Sequence, residues 1–537
     1  MTAEHPDLDR IRKKVGRMFM CGFDGMQPSD SILKLISDYE IGGVIYFRRN
    51  IGSVEQIHAC SSALQAASKE PLLIAVDQEG GMVARIEAGV TLMPGNMALG
   101  AAGDPAAVRQ AAAIAGAELR HIGINMNFAP CVDVNNNPAN PVIGVRSYGE
   151  SPELVGELGA AAASGYMEAG VAATLKHFPG HGDTDTDSHL ALPTIPHDRE
   201  RLERVELAPF RRIIAEGVDA VMTAHVVFPA YEQASVPATL SSRILTGLLR
   251  EQLGFEGVIV TDCLEMNAIS LTVGVGKGAV EAVKAGSDLI LVCHRYDRQV
   301  EAIEAVADAV LRGEITEERI DASIRRLRLL KAKRSIGNGS AGDFESVRPQ
   351  LAKSSSLQLA EAFSERSITL VRDEGFLPLD PSEPVYVVWP EVRVAHEVVE
   401  ALHEEVTLGR ALGELLPEVK ERIIDVHPDT AEIGDVLRES LTYSQIVAVT
   451  YNAGFSPGQQ ELVQALLERD GVRLIVLAAR NPFDYTAIPG IRTYLASYEN
   501  KPPAMRAAAK VLTGRIPARG VLPVTVGEYR AGTGSTG

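Results

Sequence analysis

The loop at residues 176–193, KHFPGHGDTDTDSHLALP, carries three aspartates and two histidines within nine residues. Packing does not require this density of acids and imidazoles. The density makes chemical sense if the loop lies over a reaction site and presents a histidine that transfers protons. Asp187 and His189 are two positions apart, so the carboxylate can hold one ring nitrogen while the other nitrogen transfers a proton. The spacing therefore predicts a His–Asp acid/base pair, with a solvated polar loop as the alternative.

A second reactive carboxylate is predicted at Asp262, which comes directly after the apolar run GVIVT and before CLEM. An aspartate at this point either caps the next helix or faces a substrate. If His189 faces Asp262, the two provide the parts of a retaining glycosidase. One residue protonates the leaving oxygen while the other attacks the anomeric carbon. Imidazolium is a competent acid near neutral pH, so a His–Asp pair can replace the usual second carboxylic acid.

Further polar side chains are candidates for binding a polyhydroxyl substrate. Asp77 and Arg85 flank the two glycines of VDQEGG, and they either grip vicinal hydroxyls or form an internal ion pair. Arg146 lies in a loop rich in turn residues, where its forked guanidinium suits bidentate contacts. Lys176 and His177 lie at the carboxyl end of a predicted strand and are further candidates. His225 is either a core histidine or a site residue.

Eight short apolar runs, each followed by a helical pattern, must position these residues. Continuous apolar strands that alternate with helices indicate a parallel sheet covered by helices, and eight repeats favour a closed (β/α)8 barrel. Polar residues follow several of the runs, as expected at the carboxyl ends of barrel strands, where active sites lie. The first run is not followed by the GxGxxG that a doubly wound sheet would use. The predicted strands are 17–24, 42–47, 72–76, 124–128, 172–176, 220–224, 257–261 and 288–292.

A Gly/Ser-rich segment, SIGNGSAGD, interrupts this pattern, and a second α/β unit follows it. The second unit is predicted to be a smaller α/β/α sandwich, and the tail AGTGSTG to be disordered. The predicted strands of the sandwich are 367–371, 384–389, 445–450, 473–479 and 523–526. The predicted domains are a barrel over 1–335, a linker over 336–345, a sandwich over 346–530 and a tail over 531–537.

The composition indicates a globular enzyme with two domains, because 537 residues exceed one ordinary core. A net charge of −18 without a basic stripe excludes nucleic acid as the partner. The sequence has no run of about eighteen apolar residues and no secretory pattern at its N-terminus, so we expect no membrane partner and a cytoplasmic location. Five cysteines without paired spacing predict reduced, buried thiols, Cys263 among them.

Five segments together resemble family 3 of the glycoside hydrolases, in particular its bacterial β-N-acetylglucosaminidases. They are VDQEGG (76–81), NPVIGVRSYG (140–149), KHFPGHGDTDTDSHLALP (176–193), MTAHV (222–226) and TDCLEM (261–266). The resemblance implies that Asp262 is the nucleophile, His189 the general acid/base and Asp187 its orienting partner. It also implies residues that bind the terminal sugar, namely Asp77, Arg85, Arg146, Lys176 and His177, with His225 near it.

The activity that the resemblance implies is a retaining exo-β-N-acetylglucosaminidase. Such an enzyme hydrolyses terminal N-acetyl-β-D-glucosaminides, takes a small carbohydrate as its partner and needs no cofactor or metal. The sandwich looks like the domain that follows the barrel in two-domain members. Because the barrel loop supplies the His–Asp pair, this domain need not complete the site. Cys263 stands where the family often has Asp or Ala, and Met82 where it often has Arg.

Three other functions stay open at this point. A metal-dependent hydrolase on the same barrel would use His177, His181, His189, His225 and Asp262 as ligands, and a chelator would inactivate it. A non-catalytic sugar-binding protein would leave a chromogenic substrate intact. A phosphorylase with the same site would transfer the sugar to phosphate, because a neutral histidine repels phosphate less than a carboxylate does. The oligomeric state and the aglycone (a muropeptide, chitobiose or a glycoconjugate) stay open as well.

Overall fold

The first of two α/β units contains the eight strands of a barrel and a short hairpin. The computed structural model describes residues 6–185, 192–337, 342–391 and 406–534. The strands of the first unit are β1 (Phe19–Cys21), β2 (Gly43–Tyr46), β3 (Leu73–Val76), β4 (Gln78–Gly80), β5 (Val83–Ala84), β6 (Met126–Asn127), β7 (Ala172–Phe178), β8 (Ala220–Thr223), β9 (Val258–Val260) and β10 (Ile290–Val292).

Eight of these strands run parallel in the order β10-β1-β2-β3-β6-β7-β8-β9, and β4 pairs with β5 as a separate antiparallel hairpin. The ring closes between β9 and β10, where Val260 bridges Leu289 and the Leu264 nitrogen donates to the Leu291 oxygen at 2.9 Å. The predicted (β/α)8 barrel is therefore confirmed. Side chains fill its interior, as in other eight-stranded barrels; they include Met20, Leu73, Ala75, Met126, Val258 and Leu291.

Helices follow the strands and cover the barrel. Several begin at a polar cap; Ser53, for example, accepts a hydrogen bond from the Gln56 nitrogen, and Ser151 accepts one from the Leu154 nitrogen. A π-helical segment at Arg243–Gln252 precedes β9. The α-helices are α1 (Pro6–Gly16), α2 (Asp30–Tyr39), α3 (Val54–Ala67), α4 (Asn96–Ala102), α5 (Pro105–His121), α6 (Pro152–Glu168), α7 (Arg199–Arg204), α8 (Ala208–Glu216), α9 (Asn267–Ser270), α10 (Val275–Ala285), α11 (Tyr296–Leu311) and α12 (Glu317–Lys333).

The second unit is a six-stranded sheet with helices on both faces. Its order is β11-β16-β15-β14-β12-β13, and only the β11–β16 pair is antiparallel. Separate apolar clusters on its two faces make it a sandwich. The strands are β11 (Thr369–Arg372), β12 (Val385–Glu391), β13 (Val419–Asp425), β14 (Gln445–Thr450), β15 (Arg473–Ala478) and β16 (Thr493–Ala496). The short helix α13 (Phe344–Val347) precedes this unit and packs in an apolar cluster of the barrel. The helices that follow are α14 (Ser354–Ser367), α15 (Leu408–Gly413), α16 (Thr430–Glu439), α17 (Pro457–Leu467), α18 (Asp484–Ala487) and α19 (Pro502–Leu512).

The sequence misplaced part of this second sheet. The segment 523–526 is not a strand, because only Val526 makes an isolated bridge, to Tyr529. Two strands, β13 and β16, were not predicted from the sequence. The β13 sequence VKERIID is mostly half-buried at the edge of the sheet and so lacks an apolar pattern. In the barrel, β7 extends to Phe178, so Lys176 and His177 lie inside the strand rather than after it.

The two units share a core. Met97, Ala98 and Ala101 on α4 belong to the same buried cluster as Tyr386 and Val476 of the sandwich. This packing places the sandwich directly against the loops at one end of the barrel. The domain boundaries at 335, 346 and 530 remain predictions. None of the helices in the described ranges has both the length and the apolar character that crossing a bilayer requires.

Candidate active site

A cavity of about 530 Å³ lies at the carboxyl ends of the barrel strands. Its volume is within the usual range for a small-molecule site. Every residue that lines it falls between positions 45 and 294, so within the described part of the chain the barrel alone forms the wall. Six of the predicted site residues lie on this wall: Asp77, Arg85, Arg146, Lys176, His177 and Asp262.

A network of ion pairs connects three barrel elements on one side of the cavity. Arg146 donates two hydrogen bonds to Glu79, from Nη2 to Oε1 at 2.8 Å and from Nε to Oε2 at 3.1 Å. The Lys176 ammonium lies 2.7 Å from both Glu79 Oε1 and Asp77 Oδ1. Glu79 lies within VDQEGG but was not among the predicted site residues. Its position two residues after Asp77, in the hairpin that follows β3, was the available signal.

The acidic and basic side chains of this network stabilise one another's charged forms. Burial raises the pKa of the Glu79 carboxyl, but Arg146 and Lys176 outweigh burial and hold that pKa below its ordinary range. Burial lowers the pKa of Lys176, but Asp77 and Glu79 outweigh burial and raise it. Glu79 and Lys176 are therefore both charged at neutral pH. The side chains of Glu79 and Lys176 are only 2% exposed, whereas Asp77 is 18% exposed at the cavity.

His177 is oriented by Asp133, which was not among the predicted site residues. Asp133 Oδ2 lies 2.7 Å from His177 Nδ1, and the Asp133 carboxylate also accepts the backbone N–H groups of His177 and His181. Burial raises the pKa of Asp133, but His177 outweighs burial and lowers it to about 2. An ionised Asp133 accepts the Nδ1–H of His177 and leaves Nε2 as the nitrogen beside Arg146, 3.4 Å from Nη2. The sequence feature that could have identified Asp133 is that it is an acidic residue shortly after strand β6.

His181 begins the turn that leaves β7, and it also lines the cavity. Burial and the neighbouring His177 lower the pKa of His181 to about 4, so its ring is neutral at pH 7. Its Nδ1 lies 2.9 Å from Thr184 Oγ1, while the Thr184 hydroxyl donates to the His181 carbonyl. The Nδ1 nitrogen therefore carries the proton of the neutral ring.

Asp262 follows β9 after one intervening residue, Thr261, and lines the cavity. The backbone nitrogen of Cys263 donates to Asp262 Oδ1 at 2.7 Å and so fixes the direction of the carboxylate. His225 is buried behind this segment. Its Nε2 donates to the Cys263 carbonyl at 3.0 Å, and its Nδ1 lies 2.8 Å from Thr239 Oγ1. His225 is not on the cavity wall formed by the described residues. It contacts instead the backbone next to Asp262, through the Cys263 carbonyl.

The predicted acid/base pair, Asp187 and His189, lies outside the described residues. The structure describes the chain up to Asp185 and again from Leu192. On the returning side, the Ile195 nitrogen donates to the Val227 oxygen at 2.9 Å. On the leaving side, Asp183 Oδ2 lies 2.6 Å from His197 Nε2. The first contact holds the returning flank against the segment that follows β8, and the second joins the two flanks to each other.

The metal ligands of the alternative hydrolase are not brought together among the described residues. His225 uses both ring nitrogens for contacts within the protein, and the Nδ1 of His177 bonds to Asp133. Three other groups of side chains have the spacing to hold an ion, and one of them lines the cavity: Cys263, Glu265 and His294.

The sandwich contacts the loops that carry the ion-pair network. Glu499 accepts a hydrogen bond from the Gly95 nitrogen at 2.7 Å, and Lys501 donates to Glu87 at 3.0 Å. Gly81 has a φ of +53°, and a side chain there would collide with the Glu499 carboxylate. The second unit therefore holds the segment that includes β4 and β5, although none of its described residues lines the cavity.

The chain is similar to one family of proteins and to several individual proteins. The family described as Glycosyl hydrolase family 3 N terminal domain matches residues 10–330. Beta-hexosaminidase A of Pseudoalteromonas piscicida is 36% identical over 553 residues, which cover 92% of this chain and 90% of that protein. A Beta-hexosaminidase of Alkalilimnicola ehrlichii is 39% identical over 293 residues, which cover 53% of this chain and 82% of that protein.

A solved structure matches both units. It is a glycoside hydrolase family 3 beta-N-acetylglucosaminidase from Paenibacillus sp. str. FPU-7, with 55% sequence identity and a TM-score of 0.92. The match covers 95% of this chain and 98% of that one. The order of barrel and sandwich is therefore common to the two proteins.

Proposed function

The chain belongs to glycosyl hydrolase family 3, and on that premise we propose that it is a retaining exo-β-N-acetylglucosaminidase that hydrolyses terminal N-acetyl-β-D-glucosaminides. The relatives named hexosaminidase and N-acetylglucosaminidase support the sugar. The observation that carries the proposal is that Asp262 lines one cavity together with the buried pairs of Glu79 with Arg146 and with Lys176. One nucleophilic carboxylate thus faces a set of rigid polar groups that can hold hydroxyls.

In the first step, Asp262 attacks the anomeric carbon and forms a covalent glycosyl-enzyme. The hydrogen bond from the Cys263 nitrogen holds the carboxylate in one orientation. His225 fixes the same peptide from behind through the Cys263 carbonyl. A nucleophile positioned in this way loses little freedom when it reacts, which favours attack.

His189 acts as the general acid in that step and as the general base for water in the next, with Asp187 setting its tautomer. Support for this assignment comes from the loop sequence and from the family. On the leaving flank His181 lines the cavity, and Asp183 joins this flank to the returning one through His197. An imidazole suits both roles because its ordinary pKa is near neutrality.

The terminal sugar is bound by Asp77, Arg85, Arg146, Lys176 and His177. Lys176 and Arg146 are donors whose positions are set by Glu79, and Asp77 is an acceptor held by Lys176. Hydroxyl groups have both donors and acceptors, so a cavity with both kinds of partner matches a sugar ring. His177 presents Nε2 to the same region because Asp133 holds Nδ1.

Substrate preference tests the proposal. The 4-nitrophenyl N-acetyl-β-glucosaminide should be cleaved far faster than the 4-nitrophenyl β-glucoside, and the rate and the product should not change when phosphate is added. Comparable kcat/KM for the two glycosides would contradict the sugar specificity. Formation of a sugar phosphate would contradict hydrolysis and identify a phosphorylase.

Trapping the intermediate tests the nucleophile. A slow fluorinated substrate analogue should leave a glycosyl adduct on Asp262, and NMR should show that the first product has the β configuration. Asp262→Asn should lower kcat by several orders of magnitude with an unchanged circular dichroism spectrum. An α product, or near-normal activity of Asp262→Asn, would exclude Asp262 as the nucleophile.

A further inference from the structure

Another cavity lies at the amino ends of the barrel strands, at the end of the barrel opposite Asp262. Its volume of about 310 Å³ is within the range of small-molecule sites. Its wall is formed by residues that precede β8 and β9, by Ile214 of α8 and by residues of α12. Catalytic residues of such barrels lie at the carboxyl ends of the strands, so the proposed glycosidase reaction does not use this cavity.

Much of the wall is apolar. Val218 and Phe255 come from the segments before β8 and β9, Leu330 comes from α12, and all three side chains are buried. Leu329 also lines the cavity, but it is 63% exposed. An apolar group that enters the cavity therefore leaves water for contact with buried side chains and also covers part of Leu329. Both effects stabilise binding.

Two cations of α12, Arg326 and Lys333, lie on the same wall. Arg326 donates from Nη1 to Asp288 Oδ1 at 3.0 Å, and this is its one hydrogen bond within the described part of the chain. A guanidinium carries further N–H groups, so Arg326 has donors left for a ligand. The Lys333 ammonium lies 3.0 Å from Asp219 Oδ1, and the Lys333 side chain is half exposed. Both cations therefore have room to contact an anion in the cavity.

Positive charge is in excess around these two cations. The buried carboxylates of Asp219 and Asp288 are each shared by more than one basic side chain. Asp288 forms ion pairs with Arg250, Arg319 and Arg326, and Asp219 forms ion pairs with Lys333 and Arg334. A carboxylate carries one negative charge, so it does not balance several cations. Glu256, the other carboxylate on the described wall, is exposed, and solvent screens its charge.

The arginines around Asp288 disfavour one another's charged forms. The pKa of Arg250 is lowered to about 10, mainly by burial and then by Arg326 and Arg319, although Asp288 opposes them. Burial and Arg326 also lower the pKa of Arg319. An anion bound beside Arg326 would offset this repulsion, so the charge distribution favours an anionic ligand.

We propose that this cavity binds a small amphipathic carboxylate, whose charged group contacts Arg326 and Lys333 and whose apolar body packs against Phe255 and Leu330. The planar guanidinium of Arg326 matches the geometry of a carboxylate, and Lys333 adds a second charge-assisted hydrogen bond. A fully polar anion gains nothing from the apolar part of the wall, and a neutral apolar molecule gains nothing from the cations. The inference does not rest on the proposed function, because Asp262 lines a different cavity.

Calorimetric titration of the intact protein with octanoate tests the ligand class. Octanoate should bind to one site, and its Kd should be lower by about tenfold or more than that of octanamide, which has the same chain without the charge. Acetate, which has the charge without the chain, should also bind at least about tenfold more weakly. Equal affinity for octanoate and octanamide would overturn the role of the cations. Equal affinity for octanoate and acetate would overturn the role of the apolar wall.

Charge variants locate the site. Arg326→Gln should raise the Kd for octanoate by about tenfold or more, because it removes a charged hydrogen-bond donor from the wall. The matched control is Arg328→Gln, which changes an exposed arginine of α12 that pairs with Glu70 and should leave the Kd unchanged. Glu256→Gln should lower the Kd, because it removes a negative charge from the wall. An unchanged Kd in Arg326→Gln would overturn the proposal.

A leucine variant tests the site without disturbing a buried ion pair, since Arg326 also contacts Asp288. Leu329→Glu places a carboxylate at an exposed position of the wall, where it should repel octanoate and raise its Kd while the urea midpoint stays unchanged. The matched control Leu311→Glu changes an exposed leucine of α11 that is not on the described wall and should bind octanoate as wild type does. Equal binding by Leu329→Glu and Leu311→Glu would place octanoate elsewhere and overturn the proposal.

Discussion

Glu499 of the sandwich accepts a hydrogen bond from the backbone nitrogen of Gly95 in the barrel, with the two atoms 2.7 Å apart. The two residues are 404 positions apart in the sequence, and both are buried. The Glu499 carboxylate also lies against Gly81, in the turn between β4 and β5. This contact gives the second domain a function, which is to hold the segment that presents Asp77 and Glu79.

Removing this contact should affect both stability and activity. Glu499→Ala leaves the buried Gly95 N–H without its acceptor, which should lower the free energy of unfolding by about 1–3 kcal/mol. Because the hairpin is then less well held, KM should rise. Urea unfolding and kinetics with the N-acetylglucosaminide measure the two effects. The control Glu461→Gln changes an exposed carboxylate on α17 and should have no effect. An unaltered KM in Glu499→Ala would contradict the positioning role.

Glu79→Gln should be one of the most damaging single substitutions on the sugar-binding side of the cavity. It leaves Arg146 and Lys176 with less counter-charge in a buried place, and breaking a buried ion pair typically costs about 3–5 kcal/mol. Arg146 would also lose its bidentate orientation, so kcat/KM should fall along with the urea midpoint. Glu168→Gln, on the exposed pair with Arg109, is the matched control and should change stability little. Equal losses of stability in Glu79→Gln and Glu168→Gln would contradict the claim that burial makes the Glu79 ion pairs more important than an exposed pair.

The low pKa of His181 predicts a pH-dependent loss of stability. The unfolded chain binds a proton at this histidine near pH 6.5, whereas the folded protein does so only at about pH 4. Between these values the unfolded state binds more protons, so stability falls as the pH is lowered. From pH 7 to 4.5 the loss due to this group should be roughly 2–3 kcal/mol. Urea unfolding at the two pH values should show a smaller change in the free energy of unfolding for His181→Asn than for wild type. An identical difference would show that the ring is not held neutral.

The leaving-group dependence of the rate distinguishes the acid/base pair from a metal site. His189→Ala should slow the release of poor leaving groups most, because they need protonation and nitrophenolate hardly does. Asp187→Ala should give a milder form of the same pattern, and EDTA should have no effect on wild type. A series of aryl glycosides of increasing leaving-group pKa provides the measurement. A flat dependence combined with sensitivity to EDTA would exclude the His–Asp pair.

Much of the barrel could be predicted from the sequence, because a parallel strand buried on both faces leaves a continuous apolar run. The same reasoning located Asp262 just past a strand, where the fold itself brings side chains together, whereas it placed the end of β7 too early, because Lys176 lies inside that strand. It failed at β13 of the sandwich, since an edge strand with half-buried residues carries no such run.

The sequence by itself therefore determined the barrel, the candidate nucleophile and the loop that carries Asp187 and His189, because these depend on local patterns and short spacings. Only the tertiary structure decided which charges are paired. Asp133 meets His177 across 44 positions, and Glu79 meets Arg146 across 67. Long-range pairing depends on how the chain closes into a ring and how the sandwich packs against it. Neither leaves a periodic signal in the sequence, and both set the pKa values and orientations on which the chemistry depends.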